Sequence, residues 1–113
     1  MTAYRAPATG RLALYVTKMP GQFLAEGCTV FVEIDGYRHP RTWGNHLFEL
    51  VPGNHQVNVW FEYMLTKFAN RASAWIPIHA GYDTFAKYET AMFVFSAGKL
   101  TVLGQQPFPM AAR

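Results

Sequence analysis

The segment Val57-Asn58-Val59-Trp60-Phe61-Glu62-Tyr63 places apolar side chains at every second position. Only an extended strand gathers Val57, Val59, Phe61 and Tyr63 on one face, because a helix would scatter them around its axis. Just before it stands Val51-Pro52-Gly53-Asn54, where proline fixes φ and glycine accepts positive φ. Asn45 to Val51 also alternates, so the pattern predicts a hairpin turning at Gly53-Asn54. Leu50 then faces Val57, Phe48 faces Val59 and His46 faces Phe61. This register buries Phe48, Leu50, Val57, Val59, Phe61 and Tyr63, and turns Leu47, Trp60 and Met64 outward beside Glu49, Asn58 and Glu62.

Further strands follow from the same pattern. Arg11 to Lys18 puts Leu12, Leu14 and Val16 on one face, and Cys28 to Gly36 directs Val30, Val32 and Ile34 inward with Phe31, Glu33 and Asp35 outward. Pro40 makes Tyr37 to Gly44 a loop or a short edge strand. Lys67 to Ile78 is the next strand, ended or placed at an edge by Pro77. Tyr82 to Phe95 is a long or bent strand with weak helical competition over residues 86–95, and Lys99 to Gly104 is the last. About seven strands punctuated by turns predict an all-β fold: a single seven-strand antiparallel immunoglobulin-like β-sandwich over residues 11–104. Residues 1–10 form an N-terminal arm and residues 105–113 an extended C-terminal tail.

At 113 residues one core is expected. The chain is 50% hydrophobic and 16% aromatic but only 15% charged, below the roughly 25% of an average soluble domain. Disorder is excluded, and some apolar surface needs covering. The net charge is +3 and the sequence pI about 9.2, yet the basic residues are scattered, so no nucleic-acid partner is expected. Cys28 is the single cysteine, which rules out an internal disulfide and is read as a small buried hydrophobe. No apolar run reaches transmembrane length and residues 1–10 lack the apolar run of a signal peptide, so no leader is expected and the expected location is the cytoplasm or a particle assembled there.

Chemistry-bearing motifs are scarce. Ser73 and Ser96 lack a nucleophile-elbow context, and nothing near Cys28 resembles a cysteine-enzyme signature. The histidines at 39, 46, 55 and 79 lack metal-ligand spacing, and no glycine-rich phosphate loop occurs. No catalytic residue, cofactor or metal is therefore expected. Arg38 and Arg41, with Tyr37 and Trp43 nearby, could hold a phosphate or stack a base.

The combination Ile34-Asp35-Gly36 with Pro52-Gly53-Asn54-His55-Gln56-Val57-Asn58-Val59 resembles the pattern of PEGA-type β-sandwich domains. The wider set Trp43-Gly44, Phe61-Glu62-Tyr63, Tyr88 to Phe93 and Gly98-Lys99-Leu100 is similar to small actinobacterial β-sandwich proteins of uncharacterised role. The PEGA tetrapeptide itself is missing, its place taken by Arg38 to Trp43. The resemblance implies a small interaction module and brings no catalytic residue.

The resulting expectation is a non-enzymatic interaction or assembly module. It self-associates into a homo-oligomer or joins a protein partner through Trp60, Met64, Phe93, Phe95 and Phe108, with a phage-like structural particle as one version. Arms of this composition fray unless neighbours hold them. The alternative is a carbohydrate-binding module that uses Trp43, Trp60 or Trp75 to stack on sugars.

Overall fold

A computed structural model describes residues 8–18, 27–63, 66–93 and 96–108. Eight strands follow one another: β1 (Gly10–Thr17), β2 (Val30–Ile34), β3 (Tyr37–Arg41), β4 (Gly44–Leu50), β5 (Gly53–Tyr63), β6 (Thr66–Ile78), β7 (Tyr82–Glu89) and β8 (Lys99–Pro107). They form two four-stranded sheets, sheet I in the order β4-β1-β7-β8 and sheet II in the order β3-β2-β5-β6. The count is eight instead of seven because Tyr37 to Arg41 pairs fully with β2, and Pro40 sits on the edge strand that its missing N–H allows. The arrangement is not purely antiparallel either: β1 runs parallel to β7.

The expected hairpin at Gly53-Asn54 does not form. β4 pairs with β1 in sheet I, whereas β5 pairs with β2 and β6 in sheet II. Val51 and Pro52 therefore carry the chain from one sheet to the other. Gly53, at φ 136°, adopts a conformation that side chains rarely tolerate, which lets the crossing turn sharply. The inward parity survives this change, since Phe48, Val57, Val59 and Phe61 all reach the same core from opposite sheets. Leu50 and Tyr63 pack partly buried against it.

That core lies between the sheets. Leu12, Leu14 and Val16 of β1, Ala86 and Tyr88 of β7 and Phe48 of β4 meet Val30, Val32 and Ile34 of β2, Val57, Val59 and Phe61 of β5, and Ala69, Ala72, Ile76 and Ile78 of β6. A strict inside-outside alternation along β1, β2 and β7 produces it. Two chain ends differ from expectation. β8 continues to Pro107, paired opposite Tyr82, so the first part of the predicted tail is sheet. Residues 91–93 are not strand, and the long Tyr82 to Phe95 strand stops at Glu89.

Irregularity concentrates where β5 meets β6. Val59 pairs with Ala72 and Phe61 with Ala69, so Asn70 and Arg71 together oppose the single residue Trp60. This bulge turns Asn70, at φ 49°, inward, and sends Arg71 to the outer face. A second register shift follows between Phe61 and Tyr63, and there Phe68 holds φ 60°, an uncommon conformation for a bulky residue.

Candidate binding surfaces

The outer face of sheet II carries the densest side-chain cluster. Trp60 faces away from the core but is only 1% exposed, which corrects the expectation that it stands open as an interface residue. Phe31 stacks on it at 5.8 Å with an interplanar angle of 23°, and Phe68 meets it at 5.1 Å. The guanidinium carbons of Arg38 and Arg71 lie 5.1 and 5.7 Å from its ring centre. Arg38 also lies over Phe31 at 5.8 Å and Arg71 over Phe68 at 5.3 Å. Two arginines and two phenylalanines from β2, β3 and β6 thus roof a tryptophan on β5, each cation attracted to the ring's electron-rich face.

Beside this cluster runs a polar row. The Ser73 hydroxyl donates to Asn58 Oδ1, and Asn58 Nδ2 donates to Glu33 Oε1 at 3.0 Å. The next row places Gln56 opposite Trp75. Trp75 is 65% exposed, which leaves its ring open to a ligand.

The other residues expected to line a site are dispersed. Alternation along β3 separates Arg38 from Arg41: Arg41 packs over Phe48 at 5.0 Å and donates from Nη1 to the Pro40 carbonyl at 2.8 Å. Trp43 is half-buried, edge-on to Phe61 at 5.7 Å, with Lys18 Nζ 5.5 Å from its ring; it packs against the core. Phe93 is 69% exposed and its neighbour Met92 53%. Phe108 docks on its own chain, beneath Arg11 at 4.4 Å, and its N–H donates to the Gly81 carbonyl at 2.7 Å. Met64 and Phe95 lie outside the described residues.

The tip bearing Met92 and Phe93 is fastened from below by Asn70, 1% exposed. Its Nδ2 donates to the carbonyls of Phe93 at 2.7 Å and Ser96 at 2.8 Å, and its Oδ1 accepts from the Ala91 N–H at 3.0 Å. The Asn70 carbonyl accepts from the Tyr88 hydroxyl at 2.7 Å, and burial pushes that phenol upward in pKa.

A second fastening joins the two sequence patterns behind the PEGA resemblance. Asp35, in the β2–β3 turn, accepts from His55 Nδ1 through Oδ2 and from the Gln56 N–H through Oδ1 at 3.0 Å. His55 Nε2 lies 2.7 Å from the Val51 carbonyl. Both ring nitrogens therefore face acceptors. Burial opposes a charge on the ring, yet the Val51 carbonyl and the Asp35 carboxylate outweigh it and hold the His55 pKa above its ordinary value. The hydrogen bond from His55, aided by the Gln56 N–H, holds Asp35 below the usual carboxylate range against a smaller opposing effect of burial. The pair clamps the inter-sheet crossing to the β2–β3 turn. An open groove beside it is lined by Tyr37, His39, Glu49 and Val51 among others.

On sheet I the outer face is apolar at its centre. Ala13 lies opposite both Leu47 and Phe85, and Phe85 opposite Gly104. Leu47 and Leu103 are each 55% exposed, and Leu103 shares a shallow groove with Tyr15 and Phe85. Ion pairs flank it, Arg11–Asp83 at 2.6 Å and Lys87–Glu89 at 3.7 Å. Leu47 was expected outward; Leu103, Phe68, Asn70 and Arg71 were not singled out in the sequence. Asn70, a residue type depleted in strands, was the available signal for an irregularity there.

Among the described residues, no three His, Cys, Asp or Glu side chains gather to hold a metal, and no helix is long and apolar enough to cross a membrane. No family model and no curated protein matches the sequence. A structural likeness does exist: the crystal structure of a "putative cell adhesion protein" from Bacteroides ovatus superposes with a TM-score of 0.55 at 8% identity, covering 91% of this chain and 46% of the other. At that identity the likeness concerns the fold, a β-sandwich.

Proposed function

We propose that this chain is a non-enzymatic β-sandwich interaction module that self-associates, or binds a protein partner, through the outer face of sheet I. The observation that carries the reading is the row Leu47, Ala13, Phe85 and Leu103, open at both ends and flanked by ion pairs. An apolar centre with a charged rim is the anatomy of a specific protein interface. Sheet II, in contrast, roofs its central tryptophan with its own arginines. The adhesion-named structural neighbour supports an interaction role. The immunoglobulin-like assignment belongs to the same proposal, supported by consecutive strands β4 and β5 lying in opposite four-stranded sheets.

Analytical ultracentrifugation tests this reading. The chain should sediment as an oligomer at micromolar concentration, and Leu47→Glu with Leu103→Glu should return it to monomer. A wild-type chain that stays monomeric alone and captures no partner through this face would overturn it. A second reading, glycan binding, is favoured by Trp75, whose ring is 65% exposed on a sheet face and can stack on a sugar.

A further inference from the structure

We propose that the outer face of sheet II binds an acidic saccharide, with Trp75 as the stacking platform for a sugar ring and Arg38 and Arg71 as anchors for its carboxylate or sulfate groups. This rests on the glycan-binding reading and adds to it the charge of the ligand and the place where that charge is read.

Three observations converge on it. The first is the pair of arginines. Both are exposed, and both lie over the Trp60 ring, at 5.1 and 5.7 Å, so their separation cannot exceed those two distances laid end to end. A guanidinium over a ring keeps its N–H edge for other acceptors. The ion pairs among the described residues join Arg11 to Asp83, His55 to Asp35 and Lys87 to Glu89; neither Arg38 nor Arg71 has a carboxylate partner there. The face thus holds two positioned cations with anion-binding capacity unspent.

The second is spacing. Trp75 lies opposite Gln56, four positions along β5 from Trp60, a distance of about 13 Å at roughly 3.3 Å per residue. The exposed ring and the two cations therefore sit a few sugar rings apart on one flat face. Between them runs the hydrogen-bonded row Glu33, Asn58 and Ser73. Saccharide hydroxyls can donate to the remaining lone pairs of Glu33 and of the Ser73 oxygen, whose own hydrogen is held by Asn58, whereas a phosphate backbone brings no donor to either. The open rings, Trp75 at 65% and Phe68 at 44% exposure, are separated along β6 by Arg71 and Ser73, so the face also lacks the unbroken stacking ladder of a single-stranded nucleic-acid groove.

The third is the backbone. Phe68 holds φ 60°, costly for a bulky side chain, where its ring supports both Trp60 and Arg71. Two successive register shifts in β5–β6 maintain that geometry, and they are what brings Arg71 over the tryptophan.

Isothermal titration with oligogalacturonate, dextran sulfate, neutral dextran and oligo-dT provides the test. The acidic saccharides should bind best and weaken as salt is raised. Arg38→Gln and Arg71→Gln should each weaken them about tenfold, the size expected for losing a charge-assisted hydrogen bond. Trp75→Ala should weaken acidic and neutral saccharides alike, and Lys99→Gln, which removes the same charge from β8, should change nothing. Thermal unfolding of each variant shows whether the fold is intact, and the salt titration of the unmodified chain reads the charge contribution independently. Equal binding of neutral dextran, with no effect of either arginine, would overturn the charge inference while leaving the glycan reading standing. Binding of no saccharide would remove both. Tighter binding of oligo-dT, or an equal loss in Lys99→Gln, would show nonspecific attraction of polyanions and overturn the proposal.

Discussion

Replacing Asn70 should loosen the tip that displays Met92 and Phe93, and the cost can be worked from its contacts. The side chain is 1% exposed and makes three hydrogen bonds to the backbone of Phe93, Ser96 and Ala91, at 2.7, 2.8 and 3.0 Å. At a net value of about 1 kcal/mol each, Asn70→Ala loses about 3 kcal/mol. Asn70 also sits at φ 49°, where a residue other than glycine or asparagine costs about 1 kcal/mol more. The expected total is about 4 kcal/mol for alanine and about 3 kcal/mol for glycine, which keeps the backbone conformation free of strain. With a urea slope of about 2 kcal/mol/M for a domain of this size, the unfolding midpoint should fall by about 2 M in Asn70→Ala and by about 1.5 M in Asn70→Gly. Far-UV circular dichroism measures the midpoint, and hydrogen exchange at the Ala91 amide reports the loop alone. A midpoint within about 0.3 M of wild type, with Ala91 still protected, would refute the view that this one amide holds the loop.

The Asp35–His55 clamp makes stability depend on pH in both directions. His55 is raised above its ordinary 6.5, so its contribution is complete below that value and is lost as pH rises through the folded pKa. Asp35 is lowered from 3.8, so its contribution is complete above that value and is lost as pH falls through the folded pKa. Urea midpoints should therefore peak in mildly acid solution, and His55→Gln should flatten the alkaline limb; an unchanged limb would count against the clamp. Gly98→Ala should destabilise by about 1–3 kcal/mol, the usual range for overpacking, because a Cβ there would lie 2.4 Å from the Asn70 carbonyl oxygen. Thermal unfolding measures this, and a neutral result would show that the β8 approach relaxes freely. Trp60→Ala should cost about 3–5 kcal/mol, as for other buried large aromatics, and a loss below about 1 kcal/mol in urea unfolding would mean that its roof contributes little. Burial raises the pKa of Cys28, so thiol labelling at neutral pH should be slower than for an unstructured peptide; equal rates would contradict the assigned environment.

Which side chains face inward was legible from alternation alone. Leu12, Leu14, Val16, Val30, Val32 and Ile34 all lie in the core, because the period of a strand does not depend on its partner. Partner choice was not legible. Leu50, Val51, Pro52 and Gly53 suit a hairpin and an inter-sheet crossing equally well, and Phe48 and Val59 keep the same parity in either. Trp60 shows a second limit. Its position on the outer face followed from parity, but its cover comes from Arg38 one strand beyond β2 and from Arg71 through a bulge. Neither is a neighbour that periodicity can specify. The charged part of the candidate site was hidden for the same reason, while Trp75, exposed beside an edge proline, was visible in the sequence.

The parallel pairing of β1 with β7 has a kinetic side. Arg11 meets Asp83 across a separation of 72 residues, and β1 is the strand that joins β4 to the rest of sheet I. During synthesis β1 can find β4 early, but that pair keeps an open edge until β7 has emerged. Closing so long a loop before its contacts form is slow, placing folding in the millisecond-to-second range of sandwiches rich in nonlocal contacts. Throughout that interval β1 presents the open backbone edge that β7 will fill, and this is when the nascent chain is most exposed to premature pairing with another copy.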